Sequence, residues 1–160
     1  MNVQYVNAIC RATKSILTGH LGVEVDILRP TAGSGSVPSN DISVILGVKG
    51  ELKGQIICTF STETAINIVS AMMGGMEVQQ LDNMGWSAVQ EFGNWVAGTT
   101  ATELSKEECI IDVTPPVINE GESKFHSSYP YITVPLGSSI GDIRVHISVS
   151  EDDSLRRSAI

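Results

Sequence analysis

The chain has 160 residues, 42% of them hydrophobic and 18% charged, a composition that fits one globular domain and argues against disorder. Eighteen Asp and Glu against ten Lys and Arg give a net charge of −8, which argues against nucleic acid or an anionic membrane as partner, because both need clustered cations. The one adjacent pair near the end, Arg156-Arg157, is not such a cluster, and no apolar run reaches the roughly 18 residues of a membrane span.

From the start, MNVQYVNAICRATKSIL lacks a basic leader followed by an apolar block, so a cytoplasmic location is expected. Its apolar periodicity predicts a helix over 3–20, closed by Gly22. VEVDILRP (23–30) reads as a strand, and 29–40 as a long loop rich in Gly, Ser and Pro. Ile42, Val44 and Leu46 recur at strand spacing ahead of Gly47, and a turn near Gly50 leads to a strand over 54–60. Ser61 or Thr62 can cap a helix over 62–73, which Gly74-Gly75 stops. The longest predicted helix covers 83–105. After it come a strand over 109–116, a second long loop over 117–130, and a hairpin marked by Pro135, Gly137 and Gly141. Ile143, Val145, Ile147 and Val149 alternate with Arg144, His146 and Ser148, which predicts one buried and one wet face, with His146 on the wet one. The polar end, 151–160, reads as a loosely held tail behind a single domain of residues 1–150.

The chain is one unit written twice. At an offset of 86 residues Asp26 meets Asp112, Pro30 meets Pro116 and Thr13 meets Thr99; one residue of slippage later, GQIICTFS (54–61) lies over GDIRVHIS (141–148). Each half reads helix plus three strands. The fold expected is therefore α+β: a pseudo-twofold repeat with a six-stranded, mainly antiparallel sheet and helices on one face. Cys10, Cys58 and Cys109 are odd in number and sit among apolar neighbours, as core thiols do in a reducing compartment.

Candidate functional residues lie on the long helix, WSAVQEFGNWVAGTTATELS (86–105). Ser87, Glu91, Asn94, Gly98 and Ala101 fall on one stripe at helical spacing, while Val89, Phe92 and Val96 fall on the far side as core. A stripe with a carboxylate, a carboxamide and no large apolar side chain lets another surface approach closely. Taken alone, it is also what a solvated helix face looks like.

Ser87-x3-Glu91-x2-Asn94, continued by Gly98-Thr99-x-Ala101-Thr102-x-Leu104-Ser105 and by Pro115-Pro116, resembles the signature of the CheC/CheX family, phosphatases of the phosphorylated receiver protein of bacterial chemotaxis. At the offset of 86 the first helix has Tyr5 for Glu91 and Ala8 for Asn94, so the chain carries a single copy of the motif and resembles the CheX branch. The resemblance implies hydrolysis of a receiver's aspartyl phosphate, with Asn94 holding the attacking water and Glu91 accepting from the receiver's lysine. It places Ser87 and Gly98 at the partner-binding face, with Pro116 shaping the loop beside it. Ser87 also reads as a plain helix-surface serine, and Trp95, about 40° around the helix from Glu91, reads equally as a rim contact of that face or as core. It also implies a CheY-like partner, a homodimer, no cofactor of the chain's own, and Mg²⁺ held by the receiver.

Three other patterns carry less. Gly137-Ser138-Ser139-Ile140-Gly141 matches a serine-hydrolase elbow, but a strand follows where that motif needs a helix. Gly33-Ser34-Gly35-Ser36 has no phosphate-binding lysine and reads as a flexible loop. His20, His126 and His146 have no ligand spacing, and no metal site is predicted. The rival to an enzyme is a non-catalytic receiver-binding module of the same fold, resembling the flagellar switch proteins, or a scaffold for a receptor deamidase.

Overall fold

Asn2 opens the first helix by accepting a 2.8 Å hydrogen bond from the Gln4 N–H, and in the computed structural model, which describes residues 1–151, α1 runs Val3–Ser15. It then widens into a π-helical turn over Ile16–His20, and Gly22 at φ +66° lets the chain leave. Five strands follow: β1 (Val25–Ile27), β2 (Thr31–Gly33), β3 (Ser36–Val37), β4 (Ile42–Gly50) and β5 (Leu52–Phe60). Ser61 caps α2 (Thr62–Met72), its hydroxyl accepting from the Thr64 N–H at 3.1 Å, and Asp82 caps α3 (Asn83–Lys106) through the Gly85 N–H at 2.8 Å. The second half closes with β6 (Ile111–Val113), β7 (Val117–Glu120), β8 (Phe125–His126), β9 (Tyr131–Ser138) and β10 (Ile143–Glu151). Of the predicted tail 151–160, Glu151 ends β10 and pairs with Leu52; the rest lies outside the described residues.

The main sheet runs β1-β9-β10-β5-β4-β6, with β2 also on β9 and β7 also on β4, and each of its pairings is antiparallel. The six expected strand positions are present, but each outer one is split in two. Pro30 falls at one break and Pro115-Pro116 at the other, where a residue without an N–H cannot continue the ladder. The helices pack on one face of the sheet. Ile9, Phe92 and Val96 meet Val44, Leu46, Ile56, Val145 and Ile147 there, and the Phe60 and Phe92 rings stand edge to face at 6.2 Å. Cys10, Cys58 and Cys109 are buried thiols, and burial pushes Cys10 up to about 11 and Cys58 up to about 12.

The other face of the sheet is not wet, contrary to the alternation read in β10. His146 is 1% exposed and Ser148 3% exposed. The two long loops explain this: each contains a short strand, β3 and β8, which pair with each other and pack Val37 and Phe125 over Ile57, Tyr131 and Ile45. His146 is satisfied inside this second layer, its Nδ1 2.7 Å from the Thr133 hydroxyl and its Nε2 3.0 Å from that of Thr59. The Gly33–Ser36 segment is likewise built into β2 and β3, with Gly33 against the Tyr131 ring.

Strand pairing also refines the repeat. Val25 pairs with Ser138 as Ile111 pairs with Gly50, and Leu136 pairs with Ile143 as Val48 pairs with Gly54. Gly54 therefore corresponds to Ile143, not to Gly141; the two-residue difference keeps every side chain on its expected face. The helices need a different correction. Tyr5, Val6, Ile9, Cys10, Thr13 and Leu17 match Phe92, Gly93, Val96, Ala97, Thr100 and Leu104, all buried, at an offset of 87 (Thr13 to Thr100). Asn7 is thus the counterpart of Asn94 and Gln4 that of Glu91, in place of Ala8 and Tyr5. The first helix still lacks the carboxylate. The strands keep 86 (Val25 to Ile111), so the first half holds one extra residue, which the π-helical turn takes up.

Candidate functional site

The site is built by seating α3 low on the sheet. Gly93 faces inward, and a Cβ there would lie 2.9 Å from Pro116 Cβ and 3.0 Å from Val44 Cγ1, so only glycine lets the helix come this close. Gln90 donates from Nε2 to the Pro116 carbonyl at 2.9 Å and fixes the same contact from the side. Pro116 is itself buried. It therefore supports the helix from beneath, which suits a loop-shaping role and leaves it no surface for a partner.

With Val89, Phe92 and Val96 between 0% and 1% exposed, Ser87, Glu91, Asn94 and Gly98 all point outward and Ala101 is half-buried. Among the described residues neither Glu91 nor Asn94 has a hydrogen-bond or ionic partner. A carboxylate and an amide one helical turn apart thus stand free to engage something brought to them. An amide can donate and accept at once, while a carboxylate only accepts, most strongly from a cation.

Trp95 is half-buried at the edge of the stripe, and its ring lies 5.1 Å from that of His20, tilted by 32°. A shallow pocket of ≈ 310 Å³ opens there, lined by Ile16, His20, Asn94, Trp95, Gly98 and the threonines of the next turn. The larger cavity of ≈ 750 Å³ around Tyr5, Tyr129 and Tyr131 contains none of the stripe residues. Glu91 thus stands on the exposed helix face and Asn94 beside the shallow pocket, an open arrangement that suits a macromolecular partner better than a small molecule.

Sequence reasoning missed Gly93, Gln90 and His20. A glycine inside a strong helical pattern was the available signal for Gly93. His20 carried none, since it lies 75 residues from Trp95 in the chain and only the π-helical turn brings it there. Ser138 donates to the Gly141 carbonyl at 2.7 Å within the β9–β10 turn, so the elbow-like pattern is a hairpin. No helix is long and apolar enough to cross a membrane among the described residues.

The model of the CheC-like family matches residues 84–120, the stretch from the start of α3 through β7. The CheY-P phosphatase CheX of Thermotoga maritima is 34% identical over 151 residues, covering 93% of this chain and 97% of that protein. The crystal structure of the chemotaxis protein CheX from Desulfovibrio desulfuricans superposes with a TM-score of 0.80 at 23% identity, over 94% of this chain and all of that one. The CheX chain in a CheX–CheY–BeF3–Mg complex from Borrelia burgdorferi gives a TM-score of 0.74 at 28% identity, over 94% of this chain and 100% of that one. On the Thermotoga match, which spans nearly the whole of both chains, this protein belongs to the CheC/CheX family and to its CheX branch.

Proposed function

We propose that this protein hydrolyses the aspartyl phosphate of a CheY-like receiver domain, with Asn94 positioning the attacking water and Glu91 engaging the receiver's lysine. The observation that carries the reading is the pairing of full-length likeness to a CheY-P phosphatase with an exposed, unengaged Glu91 and Asn94 on α3. The CheX–CheY complex among the similar structures supports a receiver as the partner.

The receiver supplies the acyl phosphate, its own Mg²⁺ and a lysine. In-line attack needs one more element, a water held on the far side of phosphorus from the aspartyl oxygen. Phosphoryl transfer goes through a loose transition state, so placement of that water counts for more than a strong base. The Asn94 amide accepts from the water and donates toward the phosphoryl group. Glu91, one turn back, accepts a charge-assisted hydrogen bond from the lysine and sets the docking register. The water–phosphorus bond forms as the phosphorus–aspartyl bond breaks, leaving a free carboxylate and dihydrogen phosphate, which keeps both of the water's protons. Ser87 and Trp95 flank the pair as partner contacts, and Gly98 keeps the approach low.

A cytoplasmic location and a homodimer belong to the same proposal. Buried thiols suit a reducing compartment, and Ile27 and Leu28, 46% and 47% exposed, leave apolar surface at the β1 edge for a second copy. The test is to phosphorylate the receivers of the source genome and follow their decay with substoichiometric protein. Faster decay of at least one receiver is expected. Slowed decay at stoichiometric amounts would mean a binding module instead.

A further inference from the structure

The two halves of the molecule differ most where α1 ends. α3 finishes as an α-helix at Lys106, whereas α1 takes up one more residue in its π-helical turn. That insertion rotates the last turn and lays the exposed His20 ring against Trp95. Such turns in otherwise regular helices often mark functional positions. A second asymmetry points to the same spot. A Cβ added at Gly98 would meet nothing within 4 Å, so packing does not require glycine there, and its missing side chain simply leaves the pocket open. Its counterpart on α1 at the helix offset is Arg11, whose guanidinium reaches Glu103 at 3.3 Å and Glu107 at 3.1 Å across the helix pair. The groove between the helices is closed at one end by these charges and open at the Asn94 end.

From this we infer that His20 is a specificity contact for the receiver: the end of α1 forms one wall of the docking site, and the His20–Trp95 ledge over Gly98 accepts an apolar side chain that projects beside the receiver's phosphorylated aspartate. The inference rests on the phosphatase reading above. Its geometric basis is continuity, because Asn94 and His20 line one ≈ 310 Å³ pocket, and a surface that reaches the amide also lies over the imidazole. The floor is apolar, made by Ile16, the Trp95 ring and the bare Gly98 backbone, with the polar groups at the rim. That arrangement suits a single apolar anchor ringed by polar contacts.

The test uses the full-length protein and a cognate receiver. In a Trp86→Phe background Trp95 is the remaining tryptophan, and its emission is followed while BeF3-activated receiver is titrated in. A saturable change is expected. His20→Ala and Gly98→Leu should each raise KM for the phosphorylated receiver by roughly 5- to 10-fold, with kcat held within about twofold, as loss of uniform binding requires. The leucine fills the pocket without straining the helix, so it serves where the histidine variant folds poorly. Normal turnover with unchanged Trp95 emission and unchanged KM in both variants would overturn the inference and leave the phosphatase reading standing. Absence of both turnover and binding with every receiver would remove the two together.

Discussion

Substituting His146→Gln should remove most of the protein's loss of stability between pH 7.5 and pH 5. In the folded protein burial, helped by the neighbouring positive charge of Arg144, pushes the His146 imidazole down to about 4 from an ordinary 6.5. The ring is 1% exposed and hydrogen-bonded at both nitrogens by Thr133 and Thr59, so solvent does not screen it. Above pH 6.5 the ring is neutral in both folded and unfolded chains, and the group contributes nothing to the pH dependence. Between 6.5 and 4 only the unfolded chain takes the proton, and stability falls by about 1.36 kcal/mol per pH unit. Below 4 both states are protonated and the loss levels off. From pH 7.5 to pH 5 the expected contribution is about 2 kcal/mol. Glutamine keeps a donor and an acceptor in the same layer but does not titrate. Urea unfolding of both proteins at the two pH values, read by circular dichroism, measures the difference. Equal losses in wild type and variant would refute the assignment of His146 as the buried neutral group.

Two helix glycines should respond in opposite directions. Gly93→Ala drives a methyl against Pro116 and Val44, and overpacking of this kind costs about 1–3 kcal/mol, partly offset by alanine's better helix propensity. Gly98→Ala meets open space and should stabilise the helix by roughly 0.5–1 kcal/mol. Thermal melts of the two variants check both, and a stabilised Gly93→Ala would contradict the close approach of α3 to the sheet. Glu91→Gln keeps the shape but removes the charge offered to the receiver's lysine, so receiver binding should weaken by several-fold and become less salt-sensitive. A titration of activated receiver at two ionic strengths measures this.

Much of the architecture was legible because its signals are local. The caps at Ser61 and the stop at Gly74-Gly75, the alternation in β4 and β10, and the doubled strand-proline pattern around Pro30 and Pro116 each act over a few residues. The exposed stripe and buried back of α3 followed from helical periodicity in the same way. What escaped was non-local. Nothing in the alternation of β10 tells that β3 and β8 will meet and cover its second face, so alternation alone places the buried His146 on a wet face. The one-residue difference between helix and strand offsets was equally hidden, because a π-helical turn has no composition of its own. That turn is what carries His20 to Trp95, so the part of the site contributed by α1 was out of reach of pattern reading.

The most direct measurement is the decay rate of a phosphorylated cognate receiver at substoichiometric protein, with wild type and with Asn94→Ala side by side. Asn94 is exposed and unengaged, so the alanine variant should fold normally, keep its affinity for BeF3-activated receiver within a few-fold, and lose roughly 10²–10³ in rate, the usual worth of one preorganised polar contact. An alanine variant that dephosphorylates the receiver as fast as the wild type would contradict the account.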